Sequence, residues 1–434
     1  MRRTVRQVGV LAAAATLVLT GCGRDDGGSS SSGEDGEAAL GTGVTSEPCP
    51  EAVDESKGCI YLGIITDLTG VFAGVGTPLT EGGQAFWAKV NEDGGIGDYE
   101  VDVTTYVKDN QYDPDVHAEA FAEINDEVLM ISQSLGTIAT EAMLRDNDAE
   151  ELLVLPATLG SNWLFEDRVL EIGTSYCAEA MNAVDYGVDE LDADKVAAVH
   201  FPGDYGDDAA VGARIAAEER GAEFTDIPTG PGADQQAAAV AAVLKSEADV
   251  VVVATGPLEL AAVVGGAVSQ GFTGKFIGSI PTWNAALLDS PAAPAIEASY
   301  LWASSFPGYA AETPGNDAMR EAAGDAAPNE YFAIGWAGSY VLKELLEQAV
   351  EEGDLTRGGL LELASSLTGP VDGEGTLPEG TGNYAGDANE AAVRVTQLFS
   401  PSPGTDGGVE PMGDVFTGPT AEGYDFQEAC YLQK

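Results

Sequence analysis

Basic residues are scarce in this sequence of 434 residues. The chain has 19 Lys and Arg and two His against 72 Asp and Glu, which gives a formal net charge of −53. A surface of this charge repels phosphate backbones, so nucleic-acid binding is not expected. Such an acidic surface is typical of an exported protein that must stay soluble, and it does not indicate the class of ligand.

The motifs of common enzyme classes are missing as well. His117 and His200 have no His or Cys at a spacing typical of metal ligands. The sequence has neither a G-x-S-x-G nucleophile elbow nor a G-x-x-x-x-G-K-[ST] phosphate loop. Acidic residues are so numerous that no pair of them indicates acid–base catalysis. We therefore expect no enzymatic activity, no metal site and no cofactor.

Long hydrophobic runs are absent after the first 22 residues, so no membrane-spanning helix is expected there. The first 22 residues, MRRTVRQVGVLAAAATLVLTGC, combine three arginines with the short apolar run Val8–Leu19. That pattern is typical of a secretory signal. Its last four residues resemble a bacterial lipobox, which implies cleavage before Cys22 and attachment of lipid to its sulfur and amine. The alternative is an ordinary signal peptide with a chance cysteine.

The segment after Cys22 is composed almost entirely of Gly, Ser, Asp and Glu. Such a composition leaves no apolar surface to bury, so we expect a flexible tether. We predict a signal peptide over residues 1–21 and a tether over residues 22–47. The protein would then be extracytoplasmic and anchored to the outer face of the cell membrane, since two or more acyl chains hold a protein stably.

Four cysteines remain after the lipid site, and an even number in an exported protein indicates two disulfides with three possible pairings. Cys49 and Cys59 flank a short loop that contains proline and glycine, so we pair them with each other. Cys177 and Cys430 are then paired by elimination. The alternative is a buried thiol at Cys177 and a loose tail around Cys430.

Strands and helices alternate along the rest of the chain, which is long enough for two domains. The β-branched strand Ile60–Thr66 is followed by an amphipathic helix at Leu79–Asn91. The pattern resumes with the strand Lys195–Phe201, the helix Asp207–Arg220 and the buried strand Val250–Ala254. This alternation predicts an α/β fold with two lobes, each a doubly wound parallel sheet with helices on both faces.

A further pattern begins at Ile60. The first strand is followed by Thr69-Gly70, a loop of small residues ending at Gly76, a helix, and the turn Gly94-Gly95-Ile96. Together with Asp109-Asn110-Gln111 and later strand ends, this stretch resembles the type I periplasmic binding proteins of the Leu/Ile/Val-binding family. The resemblance extends to Phe399, and it depends on the order and spacing of several motifs.

The resemblance implies two lobes joined by three crossovers, near residues 174, 300 and 395, with the ligand in the cleft between them. The first lobe would contain residues 48–174 and 300–395, and the second lobe residues 175–299 and 396–434. Hinge closure around the ligand is the motion of this family.

The function implied is that of a substrate-binding lipoprotein of an ABC importer, which captures a small polar or amino-acid-like solute. Its partners would be that small-molecule ligand, the ABC permease with its ATPase, and the membrane through the N-terminal lipid, and we expect a monomer. The alternative is an anchored ligand sensor of the same fold that signals to a membrane receptor.

Amino-acid-binding relatives hold the ligand carboxylate with hydroxyls and amides from two loops of the first lobe. The matching loops here are residues 132–140 and 156–161, whose candidate contacts are Ser134, Gly136, Thr137, Thr158 and Ser161. The alternative for these residues is helix capping.

Four aromatic residues complete the predicted site: Phe72, Tyr176, Tyr205 and Trp283. The alternatives are a surface turn for Tyr205, and core packing for Phe72 and Trp283. Two departures from amino-acid binders leave the solute open among amino acids, organic acids, amides and other small polar molecules. Val75 replaces an aromatic residue, and only Asp234 offers a charge where those relatives place a Glu for the ligand ammonium.

Overall fold

The computed structural model describes residues 39–145, 151–203 and 205–433. The predicted signal peptide and Cys22 lie outside the described residues, as does the tether up to residue 38. Residues 39–47, which we predicted as the end of a flexible tether, instead form two short strands that pair with the folded body. The tether prediction is therefore wrong for these residues, because their backbone groups pair with β3 at a sheet edge and with Asp354–Leu355 just after a helix end.

The strands of the described residues are β1 Ala39–Leu40, β2 Val44–Thr45, β3 Gly58–Thr66, β4 Tyr99–Asp102, β5 Val107–Asp109, β6 Met130–Ser134, β7 Val154–Pro156, β8 Lys195–His200, β9 Glu223–Pro228, β10 Val250–Ala254, β11 Lys275–Gly278, β12 Tyr300–Ser304, β13 Asp354–Leu355, β14 Thr396–Pro401 and β15 Val409–Phe416.

The α-helices are α1 Ala73–Glu92, α2 Pro114–Ile124, α3 Thr137–Leu144, α4 Tyr176–Leu191, α5 Tyr205–Arg220, α6 Ala237–Ser246, α7 Pro257–Ser269, α8 Ala293–Ser299, α9 Pro314–Ala323, α10 Glu330–Glu352, α11 Arg357–Ser366, α12 Ala388–Ala391 and α13 Pro419–Gly423. Among the described residues, none of these helices combines the length and the apolar character that crossing a bilayer requires.

Two mainly parallel sheets organise the chain. In the six-stranded sheet, β3 pairs in parallel with β4, β5 and β6, β7 follows β6, and β2 runs antiparallel to β3. The seven-stranded sheet has the order β15-β14-β12-β11-β10-β8-β9, in which β14 and β15 are antiparallel. The prediction of two doubly wound parallel sheets is confirmed, with antiparallel strands added at the edges. We call the six-stranded sheet and its helices the first lobe, and the seven-stranded sheet and its helices the second lobe.

Helices cover both faces of the first sheet because its strands are apolar on both sides. Along β3, Ile64 packs into the core cluster that includes α1 and α10, whereas Ile65 packs into the cluster formed with α2 and α3. Helices α1 and α10 lie unusually close, since a Cβ atom at Gly82 would come within 2.0 Å of the Phe332 carbonyl oxygen.

The chain passes between the two sheets three times. Thr174 lies on the first passage, its backbone amide donates to Ser305 Oγ at 3.2 Å, and its hydroxyl donates to the Val395 carbonyl at 2.5 Å. One residue therefore connects all three passages. The second passage follows Ser304 rather than residue 300, because the strand Tyr300–Ser304 pairs with β11 in the seven-stranded sheet.

Both predicted disulfides are confirmed. Cys49 is bonded to Cys59, at the start of β3, and Cys177 in the first turn of α4 is bonded to Cys430 near the carboxyl terminus. The alternative of a free buried Cys177 and a loose tail is thereby excluded.

Candidate functional site

A cavity of about 740 Å³, a volume that includes its opening to solvent, lies between α1, α10 and the six-stranded sheet. We call it the inner cavity. Helix α1 contributes Val75, Leu79, Gly83 and Trp87, which are four residues apart and so lie on one face of the helix. Val75 and Trp87 are twelve steps of about 1.5 Å apart, so the lining of the inner cavity extends about 18 Å along the helix axis.

The other walls come from α10, the sheet, nearby loops of the first lobe and four residues at the boundary with the second lobe. Among the residues that the structure describes, no charged side chain lines the inner cavity. Its polar side chains are already hydrogen-bonded to the protein. Ser132 Oγ donates to the Gly63 carbonyl at 3.1 Å, and Ser339 Oγ donates to the Gly335 carbonyl at 3.0 Å. The Gln133 amide donates to Thr66 Oγ1 at 2.8 Å and to Thr80 Oγ1 at 3.0 Å. The inner cavity is therefore effectively apolar.

A second cavity of about 270 Å³ adjoins the inner one toward the boundary between the lobes. We call it the outer cavity. The two cavities are contiguous, since they share the lining residues Val75, Ala157, Tyr176 and Pro281. The residues that line the outer cavity alone are Phe72, Tyr112, Leu135, Thr158 and Tyr205.

Aromatic rings from both lobes surround the outer cavity. The Phe72 ring lies 4.6 Å from the Tyr112 ring and 6.0 Å from the Tyr205 ring, centroid to centroid, and Tyr205 lies 4.8 Å from Tyr176. Phe72 belongs to the first lobe, and Tyr176 and Tyr205 belong to helices α4 and α5 of the second lobe. The rings thus bring the lobes into contact over the entrance to the inner cavity.

Two hydroxyl groups, those of Thr158 and Tyr176, line the outer cavity. Thr158 Oγ1 accepts a hydrogen bond from the Trp163 indole at 3.1 Å, and the buried Tyr176 side chain places its hydroxyl group in the same cavity. A hydroxyl group can donate its proton to a ligand. Burial raises the pKa of the Tyr176 hydroxyl, so this group keeps its proton.

Further hydrogen bonds cross between the lobes beside the cavities. The Tyr331 hydroxyl on α10 contacts the carbonyl oxygens of Ile280 at 2.9 Å and Trp283 at 2.7 Å. The Asn284 side-chain amide donates to the Gly74 carbonyl at 3.4 Å. These contacts hold the two lobes together around the cavity entrance.

The structure brings together four of the nine predicted ligand residues, namely Phe72, Thr158, Tyr176 and Tyr205, around the outer cavity. The others do not line either cavity. Gly136 precedes the first turn of α3 and Thr137 begins that helix, where the Thr137 hydroxyl is buried without a hydrogen-bond partner among the described residues.

Three predicted contacts have their polar atoms engaged elsewhere. Ser134 Oγ bonds to Thr140 Oγ1 at 2.6 Å, and Ser161 Oγ donates to the buried carboxylate of Asp208 at 2.5 Å. Trp283 donates to the Gly407 carbonyl at 3.1 Å, and its ring stacks on Tyr300. The structure therefore places these side chains in the protein interior, in agreement with the packing alternative that the sequence left open for Trp283.

Asp234 does not take the place of a Glu that would bind a ligand ammonium. It is exposed in the 3₁₀ helix Ala233–Gln235, where it accepts a hydrogen bond from Gln235. Within the described ranges, no cluster of three His, Cys, Asp or Glu residues could hold a metal ion.

Sequence reasoning missed the inner cavity. The sequence signal for this cavity lies on one face of α1. Val75 and Leu79 are followed there by glycine at position 83, where a tightly packed core would have a large side chain. A stripe of this spacing is typical of a buried helix face, so it did not indicate a ligand site on its own.

A buried carboxyl group lies at the start of α10. The Glu330 side chain is 3% exposed and accepts a hydrogen bond from the Tyr309 amide at 2.7 Å. Burial raises the pKa of this carboxyl to about 8. In the unfolded chain its pKa is 4.5, so the folded state binds the proton more tightly.

We expect the Glu330→Gln variant to be less sensitive to alkaline pH than the wild type. Stability from protonated Glu330 is fully present below about pH 4.5 and is lost as the pH rises through about 8. Melting temperatures should be measured from pH 5 to pH 9. The melting temperature of the variant relative to that of the wild type should increase as the pH rises. Glu351→Gln, on the exposed end of the same helix, is the matched control. Parallel curves for Glu330→Gln and the wild type would contradict the prediction.

Comparisons with known proteins agree with this architecture. A family model described as periplasmic binding protein matches residues 59–400. A fatty acid ABC transporter substrate-binding protein from Thermomonospora curvata is 28% identical, with a TM-score of 0.80 over 89% of this chain and 97% of that chain. No curated sequence matches the chain.

Two more distant structures share the fold. A branched chain amino acid ABC transporter protein from Thermus thermophilus with bound valine is 19% identical, with a TM-score of 0.74 over 84% of this chain and 98% of that chain. A leucine binding protein from Thermotoga maritima is 17% identical, with a TM-score of 0.70 over 82% of this chain and 99% of that chain.

Proteins of this family bind solutes outside the cytoplasm for transport and are not enzymes. The chain belongs to the periplasmic binding protein family, and it shares its fold with the branched chain amino acid and leucine binding proteins described above.

Proposed function

We propose that this protein is the lipid-anchored substrate-binding component of an ABC importer and that its solute is amphipathic, with a long aliphatic portion of the fatty-acid class. The observation that carries the proposal is the inner cavity, whose lining extends about 18 Å along α1 and includes no charged residue among those described. The solute proposed here differs from the small polar or amino-acid-like molecule that the sequence favoured.

The lining argues against a free amino acid as the solute. An α-ammonium and an α-carboxylate each lose several kcal/mol of hydration on burial unless an opposite charge or strong hydrogen bonds replace it. Within the described part of the chain, neither the inner nor the outer cavity is lined by Asp, Glu, Lys or Arg. An aliphatic chain, by contrast, gains about 0.8 kcal/mol for each buried methylene group.

The related protein from Thermomonospora curvata supports this solute class. Its title describes a fatty acid ABC transporter substrate-binding protein, and it is more similar in sequence to this chain than the amino-acid proteins from Thermus thermophilus and Thermotoga maritima described above.

Capture would work by closure of the two lobes. A head group in the outer cavity would touch Phe72 and Thr158 of the first lobe and Tyr176 and Tyr205 of the second. Because only the closed form offers both sets of contacts, the ligand shifts the population toward it. Within this proposal the first lobe comprises residues 48–174 and 305–395, and the second lobe residues 175–304 and 396–434.

The membrane attachment in this proposal depends on the lipobox ending at Cys22. A short spacer between Cys22 and the first described strand, Ala39–Leu40, would separate the folded body from the lipid. Stable attachment needs at least two acyl chains, which lipidation of both the sulfur and the amine of Cys22 would provide.

We expect the protein, stripped of bound lipid by unfolding and refolding, to bind hexadecanoate and not leucine, isoleucine or valine. About ten buried methylene groups supply roughly 8 kcal/mol, which corresponds to a dissociation constant of about 1 µM. Isothermal titration calorimetry would measure both classes, and native mass spectrometry would give the stoichiometry. Heat from valine at millimolar concentration with none from hexadecanoate would overturn the proposal.

A further inference from the structure

The inner cavity differs between its two ends. It meets the outer cavity at Val75, and Trp87 lies three helical turns further along α1, about 18 Å away. Trp87 is 1% exposed, and Phe86 packs edge-to-face on it with the ring centroids 5.4 Å apart. The inner cavity therefore opens at Val75 and is closed at Trp87.

We infer that the solute enters this cavity with its aliphatic end first, that its head group stays in the outer cavity, and that Gly83 sets the longest chain the protein accepts. The inference rests on the proposed function, and it adds the orientation of the solute and a residue that determines specificity.

The distribution of hydrogen-bond donors determines the orientation. The outer cavity presents the hydroxyl groups of Thr158, which accepts from the Trp163 indole, and of Tyr176, and hydroxyl groups can donate to a head group. Toward the closed end, beside Gly83, Ser339 Oγ already donates to the Gly335 carbonyl oxygen. The Gln133 amide lies near Gly76 and Thr80, toward the open end, and it donates to Thr66 and Thr80. A head group placed at the closed end would lose its hydration without replacement, which is costly.

Gly82 and Gly83 are adjacent, but helix packing requires glycine only at position 82. A Cβ atom on Gly82 would lie 2.0 Å from the Phe332 carbonyl oxygen, which close packing of the helices forbids. A Cβ atom on Gly83 would lie 3.7 Å from Ser339 Oγ and 3.8 Å from the Gly335 carbonyl oxygen, which are ordinary contacts.

Glycine at position 83 is thus not explained by helix packing, and it is unfavourable inside a helix. What glycine provides there is space in the inner cavity, since Gly83 is one of its lining residues. A larger side chain at this position would occupy the last 6 Å or so before Trp87, counted along the helix axis.

We expect Gly83→Leu to weaken hexadecanoate binding at least tenfold, the effect of withdrawing roughly two methylene groups from an apolar site, and to change octanoate binding less than threefold. Calorimetric titration of saturated acids from octanoate to octadecanoate would measure this shift. Gly83→Ala should raise the melting temperature while weakening only the longest acids, so loss of binding cannot be attributed to misfolding.

Gly358→Leu is the matched control, because it lies in α11, outside both cavities, and a Cβ there would meet only the Glu151 carboxylate at ordinary distance. It should leave the chain-length profile unchanged. If wild type binds hexadecanoate and Gly83→Leu binds all acids equally well, the inference is wrong and the proposed function stands. If wild type binds no acid, the proposed function itself fails.

Trp87 fluorescence tests the orientation separately. Hexadecanoate with bromine on its terminal carbon should quench Trp87 more strongly than hexadecanoate with bromine beside the carboxyl group. The difference in emission between wild type and Trp87→Phe isolates the signal of Trp87 from that of the other tryptophans. Stronger quenching by the carboxyl-side bromine would show that the head group enters first and would overturn the inference.

Discussion

Replacing Gly82 by alanine should destabilise the protein by about 2–3 kcal/mol, whereas the same change at Gly83 should stabilise it by about 1 kcal/mol. The helix gains the same propensity at both positions, so the difference comes from packing. At Gly82 the new methyl group would collide with the Phe332 carbonyl oxygen of α10, and at Gly83 it would enter the inner cavity.

Urea unfolding followed by far-ultraviolet circular dichroism would measure both free energies. Each variant serves as the control for the other, because both add one methyl group to α1 and the two positions are adjacent. Equal stability changes at the two positions would mean that α1 and α10 do not touch through their backbones, and would contradict the described helix contact.

Removal of the Cys177–Cys430 disulfide should have the largest effect on stability. The bond closes a loop with a sequence separation of 253, whereas Cys49–Cys59 closes one of 10. In the loop-entropy description, the long loop contributes about 5–6 kcal/mol and the short one about 3 kcal/mol, because each bond restricts the unfolded chain. The double variant Cys177→Ser, Cys430→Ser should therefore lose more than Cys49→Ser, Cys59→Ser.

Guanidinium unfolding of the two double variants gives both values under identical conditions. The native contacts around Cys430 should persist in its variant, since the Cys430 amide donates to Ser161 Oγ at 2.7 Å independently of the sulfur. A smaller loss for the long loop than for the short one would show that the unfolded chain is already compact around residues 177 and 430.

Much of the fold could be predicted because the periodicity of apolar residues in the sequence indicates which faces of strands and helices are buried. The strands Ile60–Thr66 and Val250–Ala254 lie within β3 and at β10, as expected from their β-branched residues. Helix α1 was predicted from Leu79 but begins at Ala73, since its first turns contain glycine and Pro78, which are poor helix formers. A tertiary contact explains the glycine at position 76 in these first turns, because a Cβ there would lie 2.2 Å from the Asp67 carbonyl oxygen.

The site was less predictable than the fold. Phe72 and Tyr205 follow strands at the edge where ligands bind, so their position in the chain was informative. Ser161 and Trp283 follow strands too, but their partners Asp208 and Gly407 are distant in sequence. The inner cavity lies between elements that are far apart in the chain. No local sequence pattern indicates that the space between such elements is left unfilled.

The walls of the inner cavity have a consequence for delivery to a transporter. Apart from the boundary residues Tyr176, Ile280, Pro281 and Phe306, its lining comes from the first lobe. Separating the lobes would uncover the entrance but leave α1, α10 and the sheet in place around an aliphatic chain. Such a chain must then leave lengthwise, head group first. The rate of release from the open protein would therefore fall with each added methylene group, and the time a transporter needs to stay docked would grow with the length of its cargo.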